Sequence, residues 1–512
     1  MQINDDFLSD ILSDDRLSEY ASGLIGIEKE NLRVSESQIS SNDYESSLGS
    51  SLCNQYITTD FSEAQFEFIT PPLEDAIDCL KFLDDIQQFT QSKIGKDLLW
   101  PFSMPPFIES EDDIPIAKYG NSNFGLFKTI YRNGLSYRYG RLMQAISGLH
   151  YNFSFPDTFF KDISYKFPNN QEEHIRSDIY LRTIRNMHRI NWLLLYLFGS
   201  SPIVSKSFSK EISSDFISYK DSFYLPYATS LRMSDLGYNN SKRSDLYISF
   251  NNIDEYVKDL LVATNTHSKL FANFPGSELE NRIQINSNIL QIEDEYYSIA
   301  RPKSSIGADT RLASKLQTGG VNYIELRSID LDPFSRTGIS LEDLIFLKIF
   351  IIYCAFSPSP KMTKKEYHDT KDNDLIVART GRKKSLFIKK GSEEIRLDDW
   401  AAEIFNQLYL INENIGYDEK IIDKYRNRLI RKEETPSEKL LDIFLSSDKT
   451  IDQLGTEIAQ KNKEDILSES ILNDANSKIL ENEVLRSIEE QENLENNKNI
   501  SFSDFLKNYF EQ

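Results

Sequence analysis

Four short segments, separated by long stretches of chain, alternate apolar side chains with ionisable or amide ones at a period of two. In Leu24-Ile25-Gly26-Ile27-Glu28-Lys29-Glu30, Ile25 and Ile27 fall on one face of an extended strand, and Glu28 and Glu30 on the other. Phe66-Glu67-Phe68 sets Glu67 opposite two phenyl rings, and Leu149-His150-Tyr151-Asn152-Phe153 sets His150 and Asn152 opposite three apolar side chains. Tyr323-Ile324-Glu325-Leu326-Arg327 repeats the pattern, with Ile324 and Leu326 inward and Glu325 and Arg327 outward. A sheet with one greasy and one charged face needs helices behind it and a ligand in front.

Helices are readable between these segments. Residues 5 to 22 fit a polar amphipathic helix, and Leu73 to Lys93, with Ile77, Leu80, Leu83 and Ile86, fits another. Tyr180 to Leu197 reads as a long, partly buried helix closed by Gly199 and Pro202. The block from Arg282 to Pro302 reads as extended, with Gln284 and Asn286 toward the site and Gln291, Glu293, Glu295 and Tyr297 sharing a face. From about residue 362 the chain turns helical, charged and repetitive in Glu, Lys, Asn and Ile, which reads as scaffold rather than chemistry. The 512 residues allow roughly two to four domains.

Charge and motif content exclude several functions. A formal net charge of -22 argues against nucleic acid and anionic membranes, because counterion release needs clustered Lys and Arg. The start, Met1-Gln2-Ile3-Asn4-Asp5-Asp6, lacks a signal peptide's basic and apolar regions. The longest greasy run, Leu344 to Phe356, is broken by Lys348 and falls short of the roughly 18 apolar residues of a membrane span. A cytoplasmic protein is expected. Cys53, Cys79 and Cys354 share no CxxC spacing, so neither a disulfide framework nor a zinc ribbon is supported, and reduced, buried thiols are expected. Neither a P-loop nor a G-x-G-x-x-G after a strand is present, and Gly319-Gly320 reads as a turn. A bound nucleotide would need metals and arginines to hold its phosphates.

Glu28, Glu30, Asp60, Glu67, His150 and Glu325 are hard oxygen donors with one imidazole, a set suited to Mg2+ or Mn2+, and two or more ions are plausible. Arg327, two residues beyond Glu325, projects from the same strand face, where it could stabilise charge on a transferring phosphoryl group. Each carboxylate taken singly could simply be solvated. Their recurrence on strand after strand weakens that reading.

The same residues sit in longer motifs. Gly26-Ile27-Glu28-Lys29-Glu30-Asn31-Leu32-Arg33-Val34, Ile57-Thr58-Thr59-Asp60-Phe61-Ser62-Glu63-Ala64 and Trp100-Pro101-Phe102-Ser103-Met104-Pro105 are followed by Lys128-Thr129-Ile130-Tyr131-Arg132 and Ser147-Gly148-Leu149-His150-Tyr151-Asn152. Leu225 to Tyr238, Gln284 to Asn288, Arg301-Pro302-Lys303 and Tyr323 to Asp330 continue the series. In this order they resemble the bacterial glutamate-cysteine ligases from about residue 24 to 360, and only faintly beyond. The resemblance implies an α+β fold with a glutamine synthetase-like core, an antiparallel sheet curved into a funnel with helices outside. It divides the chain into a catalytic core, 1–360, and a charged, mainly helical C-terminal region, 361–512. It implies ATP-dependent joining of the glutamate side-chain carboxylate to the cysteine amine through an acyl phosphate, the first step of glutathione synthesis, by a monomer that uses ATP, L-glutamate and L-cysteine. The six acidic and imidazole residues would be Mg2+ ligands or their neighbours, and Arg132 and Arg327 would face the phosphate. Arg232 would hold a substrate carboxylate, while Tyr131, Gln144, Tyr238, Tyr297 and Arg301 would shape the cysteine pocket. A ligase using another amine, a nucleotide-independent metal hydrolase, and a non-catalytic relative are the alternatives.

Overall fold

A computed structural model describes residues 16–166, 171–210, 212–238, 246–272, 282–305, 307, 310–468, 474–497 and 499–512. Of the helix expected over 5–22, residues 5–15 lie outside this set, and Leu17–Tyr20 is helical. The alternating segments form strands of one antiparallel sheet: β1 (Leu24–Ser35), β2 (Ile57–Thr59), β3 (Gln65–Ile69), β4 (Leu149–Ser154), β5 (Ala300–Lys303) and β6 (Tyr323–Ile329). Their spatial order is β5-β6-β4-β1-β3-β2, with the short strands Gln38–Ile39 and Leu98–Leu99 added to the far end of β1.

Register converts the alternation of single strands into a common surface. Glu28 stands opposite His150, Glu30 opposite Glu67, Glu325 opposite Asn152, and Arg301 opposite Glu325. Directly opposed residues of an antiparallel pair share a face, so the ionisable groups of β1, β3, β4, β5 and β6 all lie on one side. The register of β6 on β4 shifts between Leu326 and Ile329, which places Arg327 where the ladder bends.

The other face is buried by helices. In chain order the helices used below are α1 (Ala76–Lys93), α2 (Asn123–Tyr139), α3 (Glu172–Phe198), α4 (Leu312–Gly319), α5 (Leu341–Phe356) and α6 (Phe502–Glu511). Ile25, Ile27, Phe66, Phe68, Leu149, Tyr151, Ile324 and Leu326 share a single hydrophobic core with Leu83 and Ile86 of α1, Leu181 and Ile184 of α3 and Leu347 of α5. Burying aliphatic or phenyl side chains of this size stabilises by about 1.5–3 kcal/mol each, so the greasy face dictates which way the sheet turns. Ile77 lies off that contact and is 46% exposed. Lys29 is the polar exception on this face: its ammonium donates to Gln87 of α1, and burial lowers its pKa to about 7. As expected, α3 ends at Gly199, whose N–H bonds to the Leu195 carbonyl, and Lys348 lies buried within α5.

The expected extended block over 282–302 is corrected: only Ala300–Lys303 is a strand, and Glu293–Glu295 is a 3-10 turn. Its polar side chains do not share a site-facing row. Glu295 pairs with Arg138 at 2.9 Å, both fully buried, Glu293 pairs with Arg311 at 2.7 Å, and Gln284 accepts from Arg138. The Gln291 and Glu295 side chains accept from the backbone N–H groups of Ile285 and Gln291, local bonds that compete with a ladder and hold the segment in turns.

Among the described residues beyond 360, the regular structure is helical apart from a hairpin, Phe387–Lys390 with Glu393–Arg396. Leu397, Trp400 and Phe405 of this region join the same core as the sheet, with Trp400 against Trp192 at 5.0 Å. Among the described residues no helix is long and apolar enough to cross a membrane.

Candidate active site

Over the polar face of the sheet lies a cavity of about 460 Å³. Its floor is set by strand register, with Glu28 from β1, Glu67 from β3, His150 from β4 and Glu325 and Arg327 from β6. Asp60 comes from the turn between β2 and β3. Its roof comes from α2, capped by the Ser122 hydroxyl accepting from the Gly125 N–H, so that Lys128, Tyr131 and Arg132 project from one helical face. Gln144, Tyr297 and Arg301 complete the set that the sequence brings here.

Ligand atoms of Glu28, Glu67 and His150 lie within 4.8 Å of one another. His150 Nδ1 is 3.3 Å from Glu28 Oε2 and 3.6 Å from Glu325 Oε1, and its Nε2 is 3.4 Å from Glu30 Oε1. Asn152 Nδ2 donates to Glu28 Oε1 at 2.8 Å, which orients that carboxylate. Burial, and then the charges of Glu28, Asp60 and Glu30, push Glu67 well above the usual carboxylate range. Burial also pulls Glu325 up. Lys303, Arg327 and His150 outweigh it and hold Glu325 well below that range. Lys303 is 3.3 Å and Arg327 3.1 Å from the Glu325 carboxylate.

Three expected site residues do not line this cavity. Glu30 lies beneath it, its carboxylate accepting from the Gly148 N–H at 2.7 Å. Arg232 is buried, donating to the Arg327 carbonyl at 2.8 Å, 3.7 Å from Asp330 and packed against the Tyr238 ring. Tyr238 stacks on Tyr297 with centroids 5.0 Å apart. Arg232 and Tyr238 instead border a smaller chamber of about 50 Å³ that shares Tyr297 and Arg327 with the main cavity.

Within the cavity the side chains differ in how far they are committed. Arg301 spends its guanidinium on the Asp294 and Tyr296 carbonyls, and Arg132 donates to the Asp60 carbonyl while lying over the Tyr119 ring at 4.6 Å. Gln144 Oε1 accepts from the Tyr297 hydroxyl at 3.1 Å, whereas its buried Nε2 has no partner among the described residues. Lys128 and Lys303 also line the cavity and were not singled out from sequence. Both had a signal: Lys128 precedes Arg132 by one helical turn, and Lys303 alternates with Arg301 on β5. Burial, then the neighbouring Arg132, lowers Lys128 to a pKa of about 8.

The expected tail of pure scaffold is corrected at one helix, since Tyr509 of α6 also lines the cavity.

The sequence profile of the family described as glutamate-cysteine ligase matches residues 8–377. The glutamate-cysteine ligase of Aliivibrio fischeri is 39% identical over 495 residues, 95% of each chain, and that of Alcanivorax borkumensis is 38% identical over 515 residues, 98% of each. The crystal structure of the Francisella tularensis glutamate-cysteine ligase in complex with AMP superposes with a TM-score of 0.90 at 32% identity, covering 96% of this chain and 97% of that one. A bifunctional glutathione synthetase from Pasteurella multocida shares the fold, with a TM-score of 0.72 at 24% identity, and this chain covers 55% of it. Sequence, fold and the row of carboxylates across the sheet agree: the chain belongs to the glutamate-cysteine ligase family.

Proposed function

We propose that the protein joins the γ-carboxylate of L-glutamate to the amine of L-cysteine at the expense of ATP, giving γ-glutamylcysteine, ADP and phosphate. The observation that carries this reading is the clustering of Glu28, Glu67 and His150 beside Arg132 and Arg327 in one cavity of a chain from this family. The AMP carried by the Francisella relative supports a nucleotide substrate here. We extend the resemblance to the glutamine synthetase-like funnel, with residues 1–360 supplying most of the chemistry and 361–512 bracing it. We also propose cytoplasmic, monomeric action.

The donor set fits Mg2+ or Mn2+: carboxylates crowded enough to raise Glu67 are a site that a hard divalent cation would relieve. Glu28, Glu67 and His150 would be its ligands, with Asp60, Glu30 and Glu325 as ligands or close neighbours, and two or more ions are proposed. When bound, the ions would neutralise phosphate oxygens and draw electrons from the γ-phosphorus. The glutamate γ-carboxylate oxygen attacks that phosphorus, ADP departs, and an acyl phosphate remains. Arg327, held by Glu325, and Arg132 line this cavity and would meet the charge that accumulates on the transferring phosphoryl oxygens. The neutral amine then attacks the acyl carbon, phosphate leaves, and the amine gives up one proton. Tyr131, Gln144 and Tyr297 border the space where the acceptor must lie, with Arg232 and Tyr238 behind them toward the smaller chamber. Walls that exclude bulk water protect the mixed anhydride from hydrolysis.

A coupled ADP-release assay tests the reading, with ATP, glutamate, an amine acceptor and Mg2+ each omitted in turn. ADP should appear only with all four, and fastest with cysteine. Nucleotide-independent hydrolysis, or a clear preference for another amine, would overturn it.

A further inference from the structure

The cavity combines two kinds of side chain. Its sheet floor carries the carboxylates and His150 with Lys303 and Arg327, and α2 adds Lys128 and Arg132. The lining also holds an apolar group, Phe124 and Phe127 of α2, Ile292, Leu312 of α4 and Tyr509 of α6, interspersed with Asp294 and Lys315. The Phe127 and Tyr509 rings sit with centroids 4.7 Å apart at 50°, and Phe505 packs edge-on against Phe127 at 5.9 Å.

Helix α6 is fastened in this position by specific bonds. Arg311 donates through Nη1 to the Phe510 carbonyl at 3.1 Å and through its backbone N–H to Gln512 Oε1 at 3.2 Å, and the Ser314 hydroxyl donates to the Gln512 carbonyl at 2.9 Å. Arg311 is itself fixed by Glu293 at 2.7 Å. It immediately precedes α4, whose Leu312 and Lys315 line the same cavity, so α4 and α6 form one bonded wall. None of these groups takes part in the chemistry described above.

We infer that Tyr509, backed by Phe127, is the platform on which the nucleobase of ATP stacks, and that α6 thereby completes the nucleotide side of the active site. The inference rests on the proposed ATP-dependent reaction. A nucleotide whose phosphates lie toward the cations must place its base on some neighbouring surface. A planar heterocycle gains most from an aromatic face beside it, and in this cavity the Tyr509 ring, 8% exposed with Phe127 packed on it, is the aromatic surface of α6 that a base would meet. Stacking has no hydrogen-bond code, so the platform should serve other purine nucleotides as well.

The test compares wild type, Tyr509→Ala and Tyr509→Phe as full-length protein. ADP binding is titrated by calorimetry with Mg2+ present, KM is measured for ATP and for glutamate, and inorganic tripolyphosphate is used as a competitor that has no base. Tyr509→Ala should weaken ADP binding and raise the KM for ATP about tenfold or more, the scale of losing one base–aromatic stack. The KM for glutamate and inhibition by tripolyphosphate should hold, and Tyr509→Phe should behave as wild type. Unchanged ADP affinity in Tyr509→Ala overturns the platform alone and leaves the ligase reading standing. An equal loss of tripolyphosphate affinity also overturns it, because the variant would then have disturbed the phosphate end. A wild-type protein that fails to bind ADP would remove both.

Discussion

Glu67 shows how a site of this kind works against its own fold. Its pKa lies well above the ordinary carboxylate value of 4.5, through burial first and the charges of Glu28, Asp60 and Glu30 next. At pH values below 4.5 both the folded and unfolded chains hold the proton, and Glu67 has no net effect on stability. As pH rises, the unfolded chain releases its proton first, so the folded state loses stability until Glu67 itself ionises. Glu67→Gln is therefore expected to raise the melting temperature of metal-free protein at neutral pH while abolishing turnover, since an amide cannot neutralise a divalent cation. Glu28→Gln should also abolish turnover with the fold intact. Thermal melts at pH 4 and pH 7.5 without divalent cations, beside the ADP assay, read both effects. Wild-type turnover in either variant would return that carboxylate to ordinary scaffold. These acids, His150 and Arg327 were legible in the sequence because alternation alone assigns them a face. Lys128 and Lys303 escaped because a lysine in isolation reads as solvated, and only the assembled cavity shows that these two are not.

At the level of elements, β4 is preceded by a glycine, Gly148, for a steric reason. A Cβ on Gly148 would lie 1.9 Å from Arg232 Nη2, while the Gly148 N–H already serves the Glu30 carboxylate. Gly148→Ala must therefore displace the guanidinium. Such overpacking is expected to cost about 1–3 kcal/mol of stability. A shift of Arg232, which braces Arg327 through its carbonyl, should lower turnover by about 100-fold, the scale of a small misplacement near the reacting groups. Urea melts and ADP release measure the two separately, and an unchanged rate would show that Arg232 has no part in positioning Arg327. The strands β1, β3, β4 and β6 and the helices α1 and α3 could be read from pattern because their apolar spacing is regular, whereas α5, greasy all round, read only as an apolar run. The segment 282–302 could not. Its alternation is real, but Arg138 and Arg311 reach in from distant parts of the chain and claim Gln284, Glu295 and Glu293, partners that spacing along the segment does not reveal.

Over the whole molecule, no thiol lines the main cavity: Cys79 and Cys354 are buried as expected, whereas Cys53 is only half-buried and lies near enough to Lys128 to feel its charge. Burial raises Cys53, Cys79 and Cys354 above the ordinary thiol value, and none lines the main cavity. A protein carrying Cys53→Ser, Cys79→Ala and Cys354→Ala should keep most of its activity, including with 2-aminobutyrate as a thiol-free acceptor. Loss of turnover in a folded triple variant would demand a protein thiolate and end the acyl-phosphate mechanism. At this scale the one-sided sheet and the helical C-terminal region were legible, but the way α6 reaches back to the cavity was not, because its amphipathic pattern does not say which surface it meets. The strand order also sets a timetable. β1 leaves the ribosome well before β4, its partner on that side of the sheet, and long before β6, which pairs with β4, can be made. At about 5–20 residues per second, β1 waits several seconds for β4 and longer for β6, with its acidic row unassembled. A nascent chain still without β4 and β6 has not assembled the carboxylate row, and the bonds from Arg311 to Phe510 and Gln512 that fasten α6 form last of all.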